Sequence, residues 1–171
     1  WMILVSTALG FFLGSKPSFD IGMLVWTLFG SGLVSSGAGA LNHFAEQDSD
    51  SLMERTRFRP IQTGIICSED VRYFGIVLIL FGTVILYFFV NIIVTILALI
   101  TVLLYLFIYT PLKKITWLNT TIGAIPGALP PVGGWAAASG RLDPESWILF
   151  FILFFWQHPH FFAIALMYRD D

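Results

Sequence analysis

The run "VLILFGTVILYFFVNIIVTILALITVLLYLFIYT", residues 77–110, contains no Asp, Glu, Lys or Arg. A helix crosses the hydrocarbon core with about 20 apolar residues, so this run is too long for one span. A single polar residue near its middle, Asn91, is the expected turn between two. The fold class follows from that reading: all-α, a polytopic bundle of transmembrane helices. Outward from it, the same length rule marks six segments: 1–15 (truncated), 21–42, 71–90, 91–110, 116–139 and 145–168.

Composition agrees. The chain has 171 residues, of which 57% are hydrophobic and 12% charged, with a mean hydropathy of +0.81. A soluble domain carries about 25% charged residues. The net charge of −2 says little, because placement matters more than the sum in a membrane protein. A lone cysteine, Cys67, excludes an internal disulfide and a multi-cysteine metal site. The sequence opens at Trp1 inside an apolar run, without a charged leader or cleavage site. That opening is expected of a piece of a longer chain.

Small residues punctuate two segments, as "GSGLVSSGAGALN" (30–42) and "IGAIPGALPPVGG" (122–134). They let helix backbones approach closely, which is what drives association in lipid. Pro126, Pro130 and Pro131 are expected to break or kink the fifth segment. Broken backbone at membrane depth is tolerated where it is buried or lines a cavity, so a site inside the membrane is anticipated there. The loops alternate in charge. Arg55, Arg57, Arg59, Arg72, Lys113, Lys114 and Arg169 fall on one side, Lys16 and Arg141 on the other. The positive-inside rule then places the richer side in the cytoplasm.

On that side lies "NHFAEQDSDSLMERTRFRP", residues 42–60, with seven of the chain's twenty charged residues. Asn42, Glu46 and Asp50 are spaced by four, so a helix carries them along one face. Asp48 falls roughly opposite. Two carboxylates and an amide offer oxygen ligands, the set that suits Mg²⁺ with water and phosphate completing its shell. Arg55, Arg57 and Arg59 follow, and guanidinium forks match phosphate oxygens. Acid, Mg²⁺ and arginine together can hold a diphosphate and stabilise its departure. The competing account is a solvated loop whose charges pair with one another or with lipid headgroups.

The stretch "NHFAEQDSDSLMERTRFRPIQTG" (42–64) resembles the first aspartate-rich motif of the UbiA-type intramembrane prenyltransferases. Met53, Arg55, Thr56, Arg59, Pro60 and Gly64 narrow the resemblance to their heme O synthase (protoheme IX farnesyltransferase) branch. So do "YTPLKKITWLNTTIGAIPGALPPVGGWAAASG" (109–140) and "WQHPHFFAIALMYRDD" (156–171). Glu46 departs from the aspartate common in the superfamily, keeping the charge with a longer reach.

The resemblance implies a bundle of about nine helices, of which this chain, one transmembrane domain over 1–171, would be the first two thirds. It implies Mg²⁺ held by Asn42, Glu46 and Asp50, with Asp170 and Asp171 opening a second acidic motif. Asn42, Glu46, Asp50, Arg55 and Arg59 would be catalytic; Arg55, Arg59, Lys113 and Lys114 would bind diphosphate. The implied reaction moves a farnesyl group from farnesyl diphosphate to a vinyl group of protoheme, giving heme O. The implied partners are those two substrates, the lipid bilayer and a heme A synthase downstream, with no nucleic acid. The membrane would be the bacterial cytoplasmic or the mitochondrial inner one.

Three histidines need separate weighing. His158 and His160 flank Pro159, and a spacing of two sets them on different faces of a helix. His160, which matches the family pattern, is the candidate axial ligand to heme iron; His43 borders the acidic motif in a supporting place. Trp156, Phe161 and Phe162 could face a porphyrin or shield an allylic cation, or simply meet lipid. Two rival functions stand beside this one: prenyl transfer to a quinone or chlorophyll-type ring, and a transporter or heme-handling scaffold without diphosphate chemistry.

Overall fold

A computed structural model describes residues 1–15, 19–113, 115–116 and 118–167. Among the described residues all regular structure is helical: α1 (Met2–Gly14), α2 (Ile21–Ala45), α3 (Gln47–Asp50), α4 (Ser68–Phe89), α5 (Ile92–Leu103), a π-helical stretch (Leu104–Tyr109), α6 (Thr110–Leu112), α7 (Asn119–Ser139) and α8 (Pro144–Met167). Four runs are long and apolar enough to cross a membrane, namely α2, α4, Ile92–Leu112 and α8. Their outward faces are rich in exposed Phe, Leu and Ile, as lipid contact requires.

The expected turn falls at Asn91. Val90 leaves the helix with φ −122° and ψ −95°, and Asn91 is extended. The Asn91 Oδ1 caps α5 by accepting from the Val94 N–H at 2.9 Å. Its Nδ2 donates to the Ala136 carbonyl of α7 at 2.9 Å. One side chain therefore starts a helix and fastens the hairpin to its neighbour.

The small residues act where helices cross. α2 packs mainly on α4, and α7 on α1 and α8. A Cβ at Gly37 would lie 2.6 Å from the Gly75 carbonyl oxygen, and one at Gly82 would lie 2.8 Å from that of Gly30. At Gly134 a Cβ would run into the Thr7 carbonyl. Bare backbones touch there, so any side chain must push the helices apart.

Of the break or kink expected at the prolines, the break is corrected. The three prolines do not break the fifth segment: α7 runs unbroken from Asn119 to Ser139 with Pro126, Pro130 and Pro131 inside it. Proline removes hydrogen bonds from its own helix, but packing against α1, α5 and α8 keeps the remainder in register. Pro126 and Pro131 are buried, and most of the second half of α7 is buried with them.

At the end of the bundle that holds the α7–α8 connection, the Trp135 indole N–H donates to Asp143 Oδ2 at 3.1 Å, and Arg141 Nε lies 2.7 Å from Oδ1. The indole and then the guanidinium hold that carboxyl below the usual range. The opposite end gathers the connections after α2 and α6.

Candidate active site

α2 ends at Ala45 because Glu46 turns out of helical geometry, with φ −101° and ψ 6°. The i to i+4 bonding nevertheless continues across the break. The Glu46 N–H donates to the Asn42 carbonyl at 2.9 Å, and the Asp50 N–H to the Glu46 carbonyl at 2.8 Å. Asn42, Glu46 and Asp50 therefore stay in line although the helix is interrupted. Asn42 is 7% exposed and Asp50 5%, burial that unpaired polar groups would not tolerate.

Each carboxylate carries a cation. Lys113 Nζ lies 2.9 Å from Glu46 Oε1, and Asn42 Nδ2 donates to Glu46 Oε2 at 2.7 Å. Arg59 pairs with Asp50 Oδ2. The loop that returns Arg59 is held by Thr56, whose buried hydroxyl donates to the Asp50 carbonyl at 2.8 Å. The Thr110 hydroxyl lies 2.8 Å from both Asn42 Oδ1 and the Tyr105 carbonyl, and shares its one proton between them. Seven residues from three segments, Asn42, Glu46, Asp50, Thr56, Arg59, Thr110 and Lys113, thus form one network, its two halves joined by the Asp50 N–H bond to the Glu46 carbonyl.

The expected site residues divide accordingly. Asn42, Glu46, Asp50, Arg59 and Lys113 are brought together. Arg55 is exposed on the same loop. Asp48 is exposed too, off the line of the buried pair. Arg57 pairs with Glu54 and lies over Phe58. Lys114, Asp170 and Asp171 lie outside the described residues. Among the described residues no group of three or more His, Cys, Asp and Glu side chains could hold a metal. The local oxygen donors are Glu46 and Asp50, with Asn42 committed to Glu46 and facing Thr110.

Beside this network a cavity of about 420 Å³ opens between α2, α5, α7 and α8, within the range of small-molecule pockets. Tyr105, Tyr109 and Gln157 line one end, and Val34, Val94, Leu97 and Leu129 line the rest. Tyr105, Tyr109 and Lys113 are spaced by four along the π-helical stretch and its continuation. The two rings are 5.4 Å apart, and Lys113 Nζ sits 4.7 Å from the Tyr109 ring centroid. Lys113 thereby joins the cavity to the carboxylates. π-Helical turns are rare and recur at functional sites. Room for the polar end comes from α7: Gly123 faces the Tyr109 ring and Gly127 the Gln157 amide.

The histidines separate. His158 Nδ1 lies 2.8 Å from the Phe154 carbonyl and Nε2 3.2 Å from Thr121 Oγ1, so Nδ1 donates to that carbonyl and the Thr121 hydroxyl is the partner of Nε2. His160 is on the exposed side of α8, stacked on Trp156 at 4.9 Å. It is not part of the carboxylate network and does not line the cavity. His43 is exposed in the last turn of α2. Of the aromatics singled out, Phe161 reaches the cavity, whereas Trp156 and Phe162 face outward. The sequence reading missed Thr110, Tyr105, Tyr109 and Gln157. The spacing by four of Tyr105 and Tyr109 ahead of Lys113 was the signal that could have found the two tyrosines.

A model of the UbiA prenyltransferase family matches residues 3–171. A protoheme IX farnesyltransferase of Solibacter usitatus is 44% identical over all of this chain and 62% of its own length. Those of Koribacter versatilis and Aquifex aeolicus are 45% and 39% identical, over 99% of this chain and 56% and 59% of theirs. This chain therefore spans somewhat over half the length of these relatives. The apo structure of a UbiA homolog from Aeropyrum pernix K1 superposes with a TM-score of 0.76 at 18% identity, over 97% of this chain and 62% of that one. At that identity the likeness speaks to the fold.

Proposed function

The chain belongs to the UbiA prenyltransferase family, and from that premise we propose that it carries the diphosphate-binding half of an enzyme that transfers a farnesyl group to protoheme. The observation that supports this reading is the pairing of Glu46 with Lys113 and Asp50 with Arg59 beside a largely apolar cavity. Farnesyl diphosphate as donor and protoheme as acceptor rest on the names of the relatives; heme O would be the product, and a heme A synthase its downstream user.

The donor set fits Mg²⁺. Glu46 and Asp50 are hard oxygen ligands one helical turn apart, and a divalent ion needs only one or two such carboxylates when a diphosphate completes its shell. They would hold the ion, with Asp170 and Asp171 completing the acidic set. Bound there, Mg²⁺ supplies Lewis-acid stabilisation of the negative charge on the leaving diphosphate.

This chain's own residues do the rest. Asn42 fixes the Glu46 carboxylate through Nδ2, and Thr110 fixes Asn42. Lys113 and Arg59, already held beside the site, take diphosphate oxygens, with Arg55 and Lys114 in the same role. As the C–O bond breaks, its electron pair leaves with the diphosphate, and the faces of Tyr105 and Tyr109 lie along the path of the allylic cation. The apolar cavity keeps water from that cation. The electrons of a heme vinyl group form the new C–C bond, and water captures the resulting cation with loss of a proton. Protoheme would lie along the exposed side of α8, with His160 as axial ligand.

The test is farnesyl transfer to heme by the full-length protein with Mg²⁺ titrated. Glu46→Gln and Asp50→Asn keep size and remove charge, so each is expected to cost about 100-fold or more in rate. Asp48→Asn, exposed and off the network, should cost far less. Equal loss at Asp48 and Asp50, or full activity of Glu46→Gln at low Mg²⁺, overturns the assignment.

A further inference from the structure

Two glycines of the cavity wall have no packing reason to be glycine. Across α1, α2, α4 and α7, a Cβ on Gly10, Gly30, Gly37, Gly75, Gly82 or Gly134 would strike a neighbouring helix, so these positions are bare because backbones meet there. Gly39 and Gly133 differ. A Cβ on either would meet nothing within 4 Å, both line the cavity, and Gly133 is buried. Neither has the positive φ that demands glycine. Glycine inside a helix costs stability relative to alanine, and here no contact offsets that cost. What the missing side chain leaves is space inside the molecule.

The cavity has a direction. Its polar end, at Tyr109 and Gln157, adjoins Lys113 and the carboxylates. Gln157 is 8% exposed; its Nε2 donates to the Ala124 and Leu153 carbonyls, at 3.3 and 3.2 Å. That fixes the amide, and among the described residues no donor is recorded for its Oε1. Gly39 lies one turn before Asn42 on α2, beside the polar end. Gly133 lies deep, about 15 Å along α7 from Gly123 at the helical rise of 1.5 Å per residue. Val94 and Leu97, near the opposite end of the bundle from Lys113, share the deep part of the lining. A ligand matching this shape has an anionic head, a polar neck and a long apolar tail.

We propose that Gly39 and Gly133 are bare so that the prenyl tail lies directly against the helix backbones, and that the empty position at Gly133 sets how long a tail the cavity admits. The inference rests on the prenyl-transfer reading and deepens it: chain length is read at the deep end by side-chain volume, in an apolar pocket where one methylene can be worth roughly tenfold or more in discrimination.

The experiment compares geranyl and farnesyl diphosphate as donors to heme with the full-length protein, wild type against Gly133→Leu. The expected result is at least a tenfold fall in the farnesyl-to-geranyl ratio of kcat/KM, with geranyl transfer retained. A variant that loses both donors in proportion, or keeps the wild-type ratio, overturns the proposal while wild-type transfer stands. No transfer by the wild type overturns the prenyl-transfer reading itself, and this inference with it. Gly133→Ala guards against a folding defect: its methyl enters open space, so its thermal midpoint in detergent should equal or exceed the wild type, while Gly134→Ala should fall below it. A fall at Gly133→Ala as large as at Gly134→Ala shows that Gly133 is a packing glycine and overturns the proposal.

Discussion

At the scale of single residues, the carboxylate network shows why identity and burial have to be read together. Asp50 and Asn42 are nearly inaccessible, yet each has its partner, Arg59 for one and Glu46 with Thr110 for the other. A buried charge stripped of its partner is costly, so the pairs keep the unliganded site intact; on the proposed function, a diphosphate would draw the cations away. The spacing of Asn42, Glu46 and Asp50 was legible in the sequence, and so were the arginines. Lys113 was legible only as one of two adjacent lysines. The histidines were harder. His158 and His160 differ in the structure by what they touch, Thr121 and Trp156 respectively. If His160 ligates iron, His160→Ala in the full-length protein should shift the Soret band of bound heme, while His158→Ala, whose ring is tied to α7, should leave it in place. Identical spectra for wild type and His160→Ala would remove His160 as ligand and leave the diphosphate chemistry untouched.

At the scale of helices, two devices position the site, one at the turn of the α4–α5 hairpin and one along the body of α4. Asn91 caps α5 and bonds α7. Losing the cap and the interhelical bond in Asn91→Ala is expected to cost about 2 kcal/mol, read as a lower thermal midpoint in detergent. Asn91→Ser, which can still cap but does not reach Ala136, should recover part of it. The second device is the glycine crossing of α2 with α4. Gly37→Leu must separate backbones that now touch, an overpacking expected to cost about 1–3 kcal/mol. Since α2 carries Asn42 and Glu46, the same variant should also weaken Mg²⁺-dependent transfer; an unchanged thermal midpoint would show that the crossing is looser than its geometry. The sequence marked these small residues as contacts but not their partners, because pairing depends on how α2 and α4 are placed side by side. It allowed a break at the prolines of α7, and the break is absent because packing from α1, α5 and α8 meets their cost to an isolated helix.

At the scale of the molecule, the connections after α2 and α6 converge, as the contact of Lys113 with Glu46 requires, and the connections α1–α2 and α7–α8 lie at the other end. By the positive-inside rule the charge asymmetry would orient the first end to the cytoplasm, an orientation we propose and the following experiment tests. Cysteines placed at Ser51 and Ser139 in the full-length protein should therefore label from opposite sides of sealed vesicles. Labelling of both from one side would contradict the six-segment topology.

The sequence by itself determined the class of the molecule: apolar runs of fixed length can satisfy their backbone in lipid only as helices, and their boundaries emerged within a few residues. It also determined which ligand types the acidic loop offers and that Asn42, Glu46 and Asp50 fall in line, because ligand type is a property of residue identity and a spacing of four is a property of any helix. Tertiary structure decided everything that depends on distance between segments. It chose Lys113 and Arg59 as the cations of the two carboxylates and placed Thr110 behind Asn42. It turned Tyr109, Gln157 and Gly133 toward one cavity while leaving His160 outside. Those choices follow from how glycine-lined helices settle against one another, a packing problem in three dimensions that a one-dimensional pattern of polar and apolar residues does not encode.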